Sequence, residues 1–141
     1  MKNWRLLALS IIIFNQSCSI KPKDELISSW KEEIVQTEKE FSDMTMREGI
    51  EPAFLTFAAE GAVLKRGNNL VNGLDAIKEY FNGQNAGNVQ LEWLPDFVDG
   101  YTYGHYTLTS TDSLGQRTEN SGIFHTVWKR QTDGDWRFVW D

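Results

Sequence analysis

Two runs of alternating apolar and polar residues flank the tripeptide Thr132-Asp133-Gly134 near the end of the sequence, GIFHTVWKRQTDGDWRFVWD. Alternation on both sides of a short Gly-containing loop is the pattern of a β-hairpin. Gly134 suits the left-handed position that closes a type I turn with a bulge, so Gln131 is expected opposite Asp135. Carried along both arms, that register sets Arg130 across from Trp136, Trp128 from Phe138 and Thr126 from Trp140. Every large aromatic side chain of the hairpin, Phe124 included, then lies on one face. A face of that kind must be buried, and the rest of the chain is expected to cover it.

Upstream, Ile27, Trp30, Ile34, Phe41 and Met44 recur at helical intervals and predict one long amphipathic helix over 24–46. Asp24 can cap it, Ser29 with Glu32 offers a capping box, and Gly49 ends it after Arg47. A second, short helix is expected from Pro52 through Phe54 and Phe57 to Gly61. Ala62–Leu64 and Leu70-Val71 read as brief strands around the turn KRGNN. A third helix is expected between Gly73 and Gly83, with Leu74, Ile77, Tyr80 and Phe81 as its apolar positions.

After the polar loop 82–88 the period changes to two. Val89, Leu91 and Trp93 alternate with polar residues until Pro95, which marks an edge or a bulge and predicts a partly exposed Trp93. Tyr101–Ser110 is a strand, Asp112–Gly115 its turn, and Arg117–Gln131 the return. An even loop sets His105 opposite Gly122 and Tyr103 opposite Phe124; an odd loop swaps the faces. Helices followed by a meander of long antiparallel strands make an α+β domain with its helices on one face of the sheet.

The start of the chain is of another kind. Lys2 and Arg5 precede the apolar run Leu6–Phe14 and the short polar stretch before Cys18. That run is too short for a bilayer span and reads as a signal peptide, residues 1–18. Cys18, the chain's only cysteine, stands where a lipobox would place it, although Asn15 occupies the usual Leu position. The segment resembles the leader of bacterial lipoproteins, which implies lipidation at Cys18, a tether over 19–24 and a domain over 25–141. The expected product is exported, periplasmic or membrane-anchored. One cysteine leaves no internal disulfide, so a packed core must supply stability. The formal charge is −6, and losing Lys2 and Arg5 takes it to −8. Such a chain is no partner for nucleic acid, and only a lipid anchor would hold it to a membrane.

The segments TEKEFSDMTMREGIEPAF, FAAEGAVL, NGLDAIKEYF, GYTYGHYTL and GIFHTVWKRQTDGDWRF resemble the SnoaL-like branch of the nuclear transport factor 2-like superfamily. They are most similar to its domain-of-unknown-function group in secreted bacterial proteins. The resemblance covers about residues 26–141. It implies a cone, with three N-terminal helices packed in the concave face of a strongly curved, mostly antiparallel sheet. It also implies an apolar pocket between them, often in a homodimer. The family includes polyketide cyclases, a ketosteroid isomerase, a dehydratase and pure binding domains, so it implies a pocket rather than a reaction. The isomerase's carboxylate base would fall near Lys65 or Arg66 here. A cation cannot fill that role unaided, which argues against steroid isomerisation.

Candidate chemistry is sparse. The two histidines, His105 and His125, stand in no cluster of metal-ligating residues, so no metal site is expected. His105, on the concave face in the even register, can serve as a general acid or base; the plainer reading is a hydrogen-bonded sheet histidine. His125 pairs with Asp141 in the expected hairpin register, which is either an acid–base dyad or a polar cross-strand pair. No phosphate cradle or nucleophile elbow occurs, and no cofactor is expected. The expected pocket is lined by Trp30, Tyr103, His105, Phe124, Trp128, Phe138 and Trp140. Its occupant would be a small apolar molecule, with cofactor-free acid–base catalysis or a protein-docking sheet face as the other readings.

Overall fold

The computed structural model of the chain describes residues 22–83 and 89–141. The signal peptide, Cys18, residues 19–21 of the tether and residues 84–88 of the loop lie outside the described residues. Helix α1 (Lys23–Glu48) is followed by α2 (Ile50–Phe57), β1 (Ala58–Arg66), β2 (Asn69–Asn72) and α3 (Leu74–Asn82). Four further strands complete the described chain: β3 (Val89–Val98), β4 (Tyr101–Thr111), β5 (Arg117–Arg130) and β6 (Trp136–Trp140). The strands form one sheet in the order β2-β1-β6-β5-β4-β3. All pairings are antiparallel except β1 with β6.

The architecture is α+β, with one long helix and two short ones against a six-stranded sheet. The expectation of three N-terminal helices is corrected, because α3 follows the first two strands. Gly49 ends α1 as anticipated, at φ 99°, where a side chain would be strained. The other end differs: Pro22 is the N-cap without a side-chain bond, and Ser29 donates to Glu33 instead of joining Glu32 in a capping box.

The core is an aromatic cluster around Phe41 of α1. Its ring centroid lies 4.8 Å from Phe54, 5.0 Å from Phe57, 4.7 Å from Trp93 and 5.8 Å from Phe138. The contacts with Phe54 and Trp93 are edge-on and those with Phe57 and Phe138 stacked, both of them arrangements that ring quadrupoles allow. The aromatic face of the last hairpin is therefore covered by α1 and α2. Trp93 is 7% exposed, which corrects the partial exposure inferred from Pro95. Pro95 does sit at a register shift on the edge strand β3, but only after the ladder has placed Trp93 inward.

Two registers decide what the sheet presents to its helices. In the last hairpin, Gln131 N–H donates to Asp135, and Arg130 pairs with Trp136 and Trp128 with Phe138, as expected. The ladder then shifts, so that Trp140 pairs with Val127 rather than Thr126. The loop between β4 and β5 spans 112–116 and joins the pair Thr111 and Arg117, so its parity is odd. The Asp112 carboxylate sets that length by accepting the backbone N–H groups of Leu114 and Gln116, both at 2.8 Å. His105 consequently faces Ile123, and Tyr103 faces His125. Tyr106, not His105, lies opposite Gly122. An added Cβ at Gly122 would stand 2.7 Å from the Tyr106 ring, so only glycine lets that ring lie flat on the sheet.

Candidate functional site

The most unusual side chain in the core is an acid. Glu38 lies on the buried stripe of α1 between Ile34 and Phe41, and all three are about 1% exposed. Its Oε2 accepts Trp93 Nε1–H at 2.6 Å, and its Oε1 accepts Trp128 Nε1–H at 2.9 Å and the Thr102 hydroxyl. Trp128 Nε1 also approaches Thr102 Oγ1 at 3.2 Å. Burial pushes the Glu38 carboxyl above its ordinary range. The Thr102, Trp93 and Trp128 donors pull the other way, and the charge of Asp141 pushes up again. A second acid on the helix, Glu33, accepts Trp136 Nε1–H at 2.8 Å. Two carboxylates of α1 thus hold three tryptophans of the sheet by their indole N–H groups. Glu38 went unrecognised in the sequence, although the seven-residue gap between Ile34 and Phe41 contains it at a core-facing position.

Between helices and sheet lies a cavity of about 780 Å³. Its apolar border includes Phe54, Phe81, Leu91, Trp93, Tyr106 and Phe124. Arg66 and Asp141 also border it and form an ion pair, Nη2 to Oδ1, at 3.0 Å. The other oxygen of Asp141 accepts the Thr126 hydroxyl at 3.0 Å. The Arg66 guanidinium carbon stands 5.4 Å from the centroid of the Phe54 ring.

The residues expected to line a pocket divide three ways. Phe124 and Trp140 border the cavity. Trp128 and Phe138 are buried in the aromatic core, 6.3 Å apart between ring centroids. Trp30, Tyr103 and His105 lie elsewhere: Trp30 is 37% exposed on α1, Tyr103 is 42% exposed, and His105 is exposed beside Ile123. The odd loop explains the last two, since it turns them to the face opposite Phe124 and Trp128. The His125–Asp141 dyad does not form. The shifted ladder brings Asp141 to Thr126 and Arg66, while the His125 ring lies 5.6 Å from that of Tyr101. Of the three catalytic candidates His105, His125 and Asp141, the last two border the cavity, and the Asp141 carboxylate is held there by Arg66 and Thr126.

No protein-family model and no curated protein matches this sequence. Solved structures match it in fold. A nuclear transport factor 2-like superfamily protein from Salmonella enterica superposes with a TM-score of 0.64 at 17% identity, over 80% of this chain and 88% of that one. The association domain of C. elegans CaMKII gives 0.61 at 18% identity, over 82% and 95% of the two chains. A ketosteroid isomerase-like protein from Erwinia carotovora atroseptica gives 0.58 at 14% identity, over 76% and 89%. The chain therefore has the nuclear transport factor 2-like fold. These identities support likeness of fold, and activity must be argued from the cavity itself.

Proposed function

We propose that this chain is a binding domain for a small, largely apolar molecule held in the cavity between helices and sheet. One observation carries the reading: a cavity of about 780 Å³ with aromatic walls ends on a fixed carboxylate–guanidinium pair. Mostly apolar walls with a few convergent polar groups are the usual make-up of small-molecule sites. Acid–base catalysis is the weaker reading, because the Asp141 carboxylate is already engaged by Arg66 and Thr126 and His105 lies on the other face of the sheet. Trp93 borders the cavity, so occupancy should quench tryptophan fluorescence and raise the melting temperature. A panel of sterol-like, aromatic and acyl compounds that leaves both signals unchanged at high concentration would reduce the cavity to a packing defect.

Export and anchoring through Cys18 belong to the same proposal, and their support is the sequence of residues 1–18 alone. Mass spectrometry of the membrane fraction should find a diacylglycerol-modified cysteine at the mature N-terminus. A soluble product cleaved elsewhere, with a free thiol, would contradict it.

A further inference from the structure

Along α1, Glu38, Ser42 and Thr45 follow one another at helical intervals on the face that carries Ile34 and Phe41, and they are 1%, 8% and 1% exposed. All three reach the same short piece of β3. Glu38 Oε2 accepts the Trp93 indole N–H at 2.6 Å, Ser42 Oγ accepts the Trp93 backbone N–H at 3.5 Å, and the Thr45 hydroxyl donates to the Leu91 carbonyl at 2.6 Å. β3 ends the sheet and has β4 as its neighbour on one side. Backbone groups on the other side of an edge strand ordinarily stay unpaired or go to water. Here the polar stripe of the helix stands in for the absent strand.

The piece held in this way is a wall of the cavity: Leu91 and Trp93 border it, as does Phe41. The Trp93 ring lies edge-on to Phe41 at 4.7 Å and to Phe124 at 6.3 Å between centroids. Apolar contact is non-directional and would let a flat ring tilt or slide between such neighbours. A hydrogen bond is directional, and the bond to Glu38 aims Nε1, and with it the whole indole plane. Glu38 is itself fixed at its other oxygen, which accepts Trp128 Nε1–H at 2.9 Å and the Thr102 hydroxyl. It does not border the cavity but stands behind Trp93, out of reach of anything bound.

We infer that Glu38 is a positioning residue for the cavity. It acts through Trp93, whose indole it holds as the wall against which a bound molecule lies. This rests on reading the cavity as a ligand site. Glu33 supplies the matched comparison, since it holds Trp136 by the same kind of bond at 2.8 Å and neither of that pair borders the cavity. Glu38→Gln keeps the volume and releases one indole only. Its carbonyl serves the Trp128 and Thr102 donors, which leaves its amide facing the Trp93 N–H.

Naphthalene, titrated into the full chain and into Glu38→Gln and Glu33→Gln, tests the assignment, with proton–nitrogen correlation spectra of the indole groups recorded alongside. Glu38→Gln should bind naphthalene about fivefold or more weakly. Only molecules with Trp93 in the wall position are competent, and about a fifth of them retaining it lowers the apparent affinity by that factor. The Trp93 N–H resonance, single in the parent, should broaden or split in this variant. Glu33→Gln should bind as the parent does while its Trp136 resonance moves. Equal weakening in both variants would overturn the assignment in favour of a general loss of stability. Unchanged binding in Glu38→Gln would reduce Glu38 to a core hydrogen-bond acceptor. If naphthalene binds to neither parent nor variants, the cavity reading fails by itself. A Trp93 resonance that stays single in Glu38→Gln then overturns the positioning role too, and one that splits supports it. Should Glu38→Gln not fold, Thr102→Val removes a donor that fixes Glu38 and should weaken binding in the same direction; no change there would overturn the assignment.

Discussion

Trp128→Ala should lower the free energy of unfolding by about 3–5 kcal/mol, a large share of the roughly 5–15 kcal/mol that holds a domain together. The side chain is 4% exposed and lies edge-on to Phe41 and Phe138, each 6.3 Å away between centroids. Truncation removes those contacts and opens a hole that the packed rings around it cannot fill. It also withdraws an indole N–H from Glu38, leaving the buried acid with two donors instead of three. Trp128→Phe separates the two effects, since it keeps most of the packing and loses only the N–H. It should cost about 1–3 kcal/mol, as expected when a buried hydrogen bond is lost. Trp30→Ala, on the exposed flank of α1, should change stability far less. Urea titrations of the three variants check the order; equal small losses at Trp128 and Trp30 would mean that the aromatic face is not the core.

Replacing Glu38 should be comparably severe for a different reason. Glu38→Ala strands the buried indole N–H groups of Trp93 and Trp128, at a cost of about 1–3 kcal/mol each. Glu38→Gln should cost less, because its carbonyl can still accept at the Oε1 position, but its amide group would meet the Trp93 N–H donor to donor. The pH dependence carries the sharper signature. Burial raises the folded-state pKa of Glu38 above its ordinary value, with Asp141 adding to the push. The folded state therefore binds the proton more tightly than the unfolded chain does. Stability from this group is fully present below the ordinary carboxylate range and is lost as pH rises through the raised value. Glu38→Gln has no such titration, so its deficit relative to the parent should narrow as pH increases across that window. A deficit that widens with pH would show that the donors, not desolvation, dominate the carboxyl.

Much of this architecture was legible in the sequence, and the failures are local. The Thr132-Asp133-Gly134 turn fixed its hairpin register as far as Phe138, because turn chemistry and aromatic alternation agree there. Beyond Phe138 the parallel pairing with β1 takes over, and nothing in the sequence local to Val139 announces an extra residue. The parity between β4 and β5 rested on one side chain. Asp112 followed by Gly115 favours the odd loop, and through it sends Tyr103 and His105 to the outer face. A period-two pattern with mixed aromatic and polar residues on both faces could not make that choice. Trp93 was misjudged because Pro95 was weighed against the whole strand rather than its last residues. Glu38 was missed because a glutamate in a helix is ordinarily read as solvent-facing. Only the tryptophans and the threonine waiting on the sheet make it a core residue, and they are separated from it by more than fifty positions.

The binding account turns on whether the space beside Arg66 and Asp141 accepts a molecule. A crystal structure of the protein soaked with a small aromatic compound measures that directly. The account predicts the ring system inside the cavity along Tyr106 and Phe124, with the pair of Arg66 and Asp141 still in place. A cavity closed by collapsed side chains, or the compound bound only on the outer face of the sheet, would contradict it.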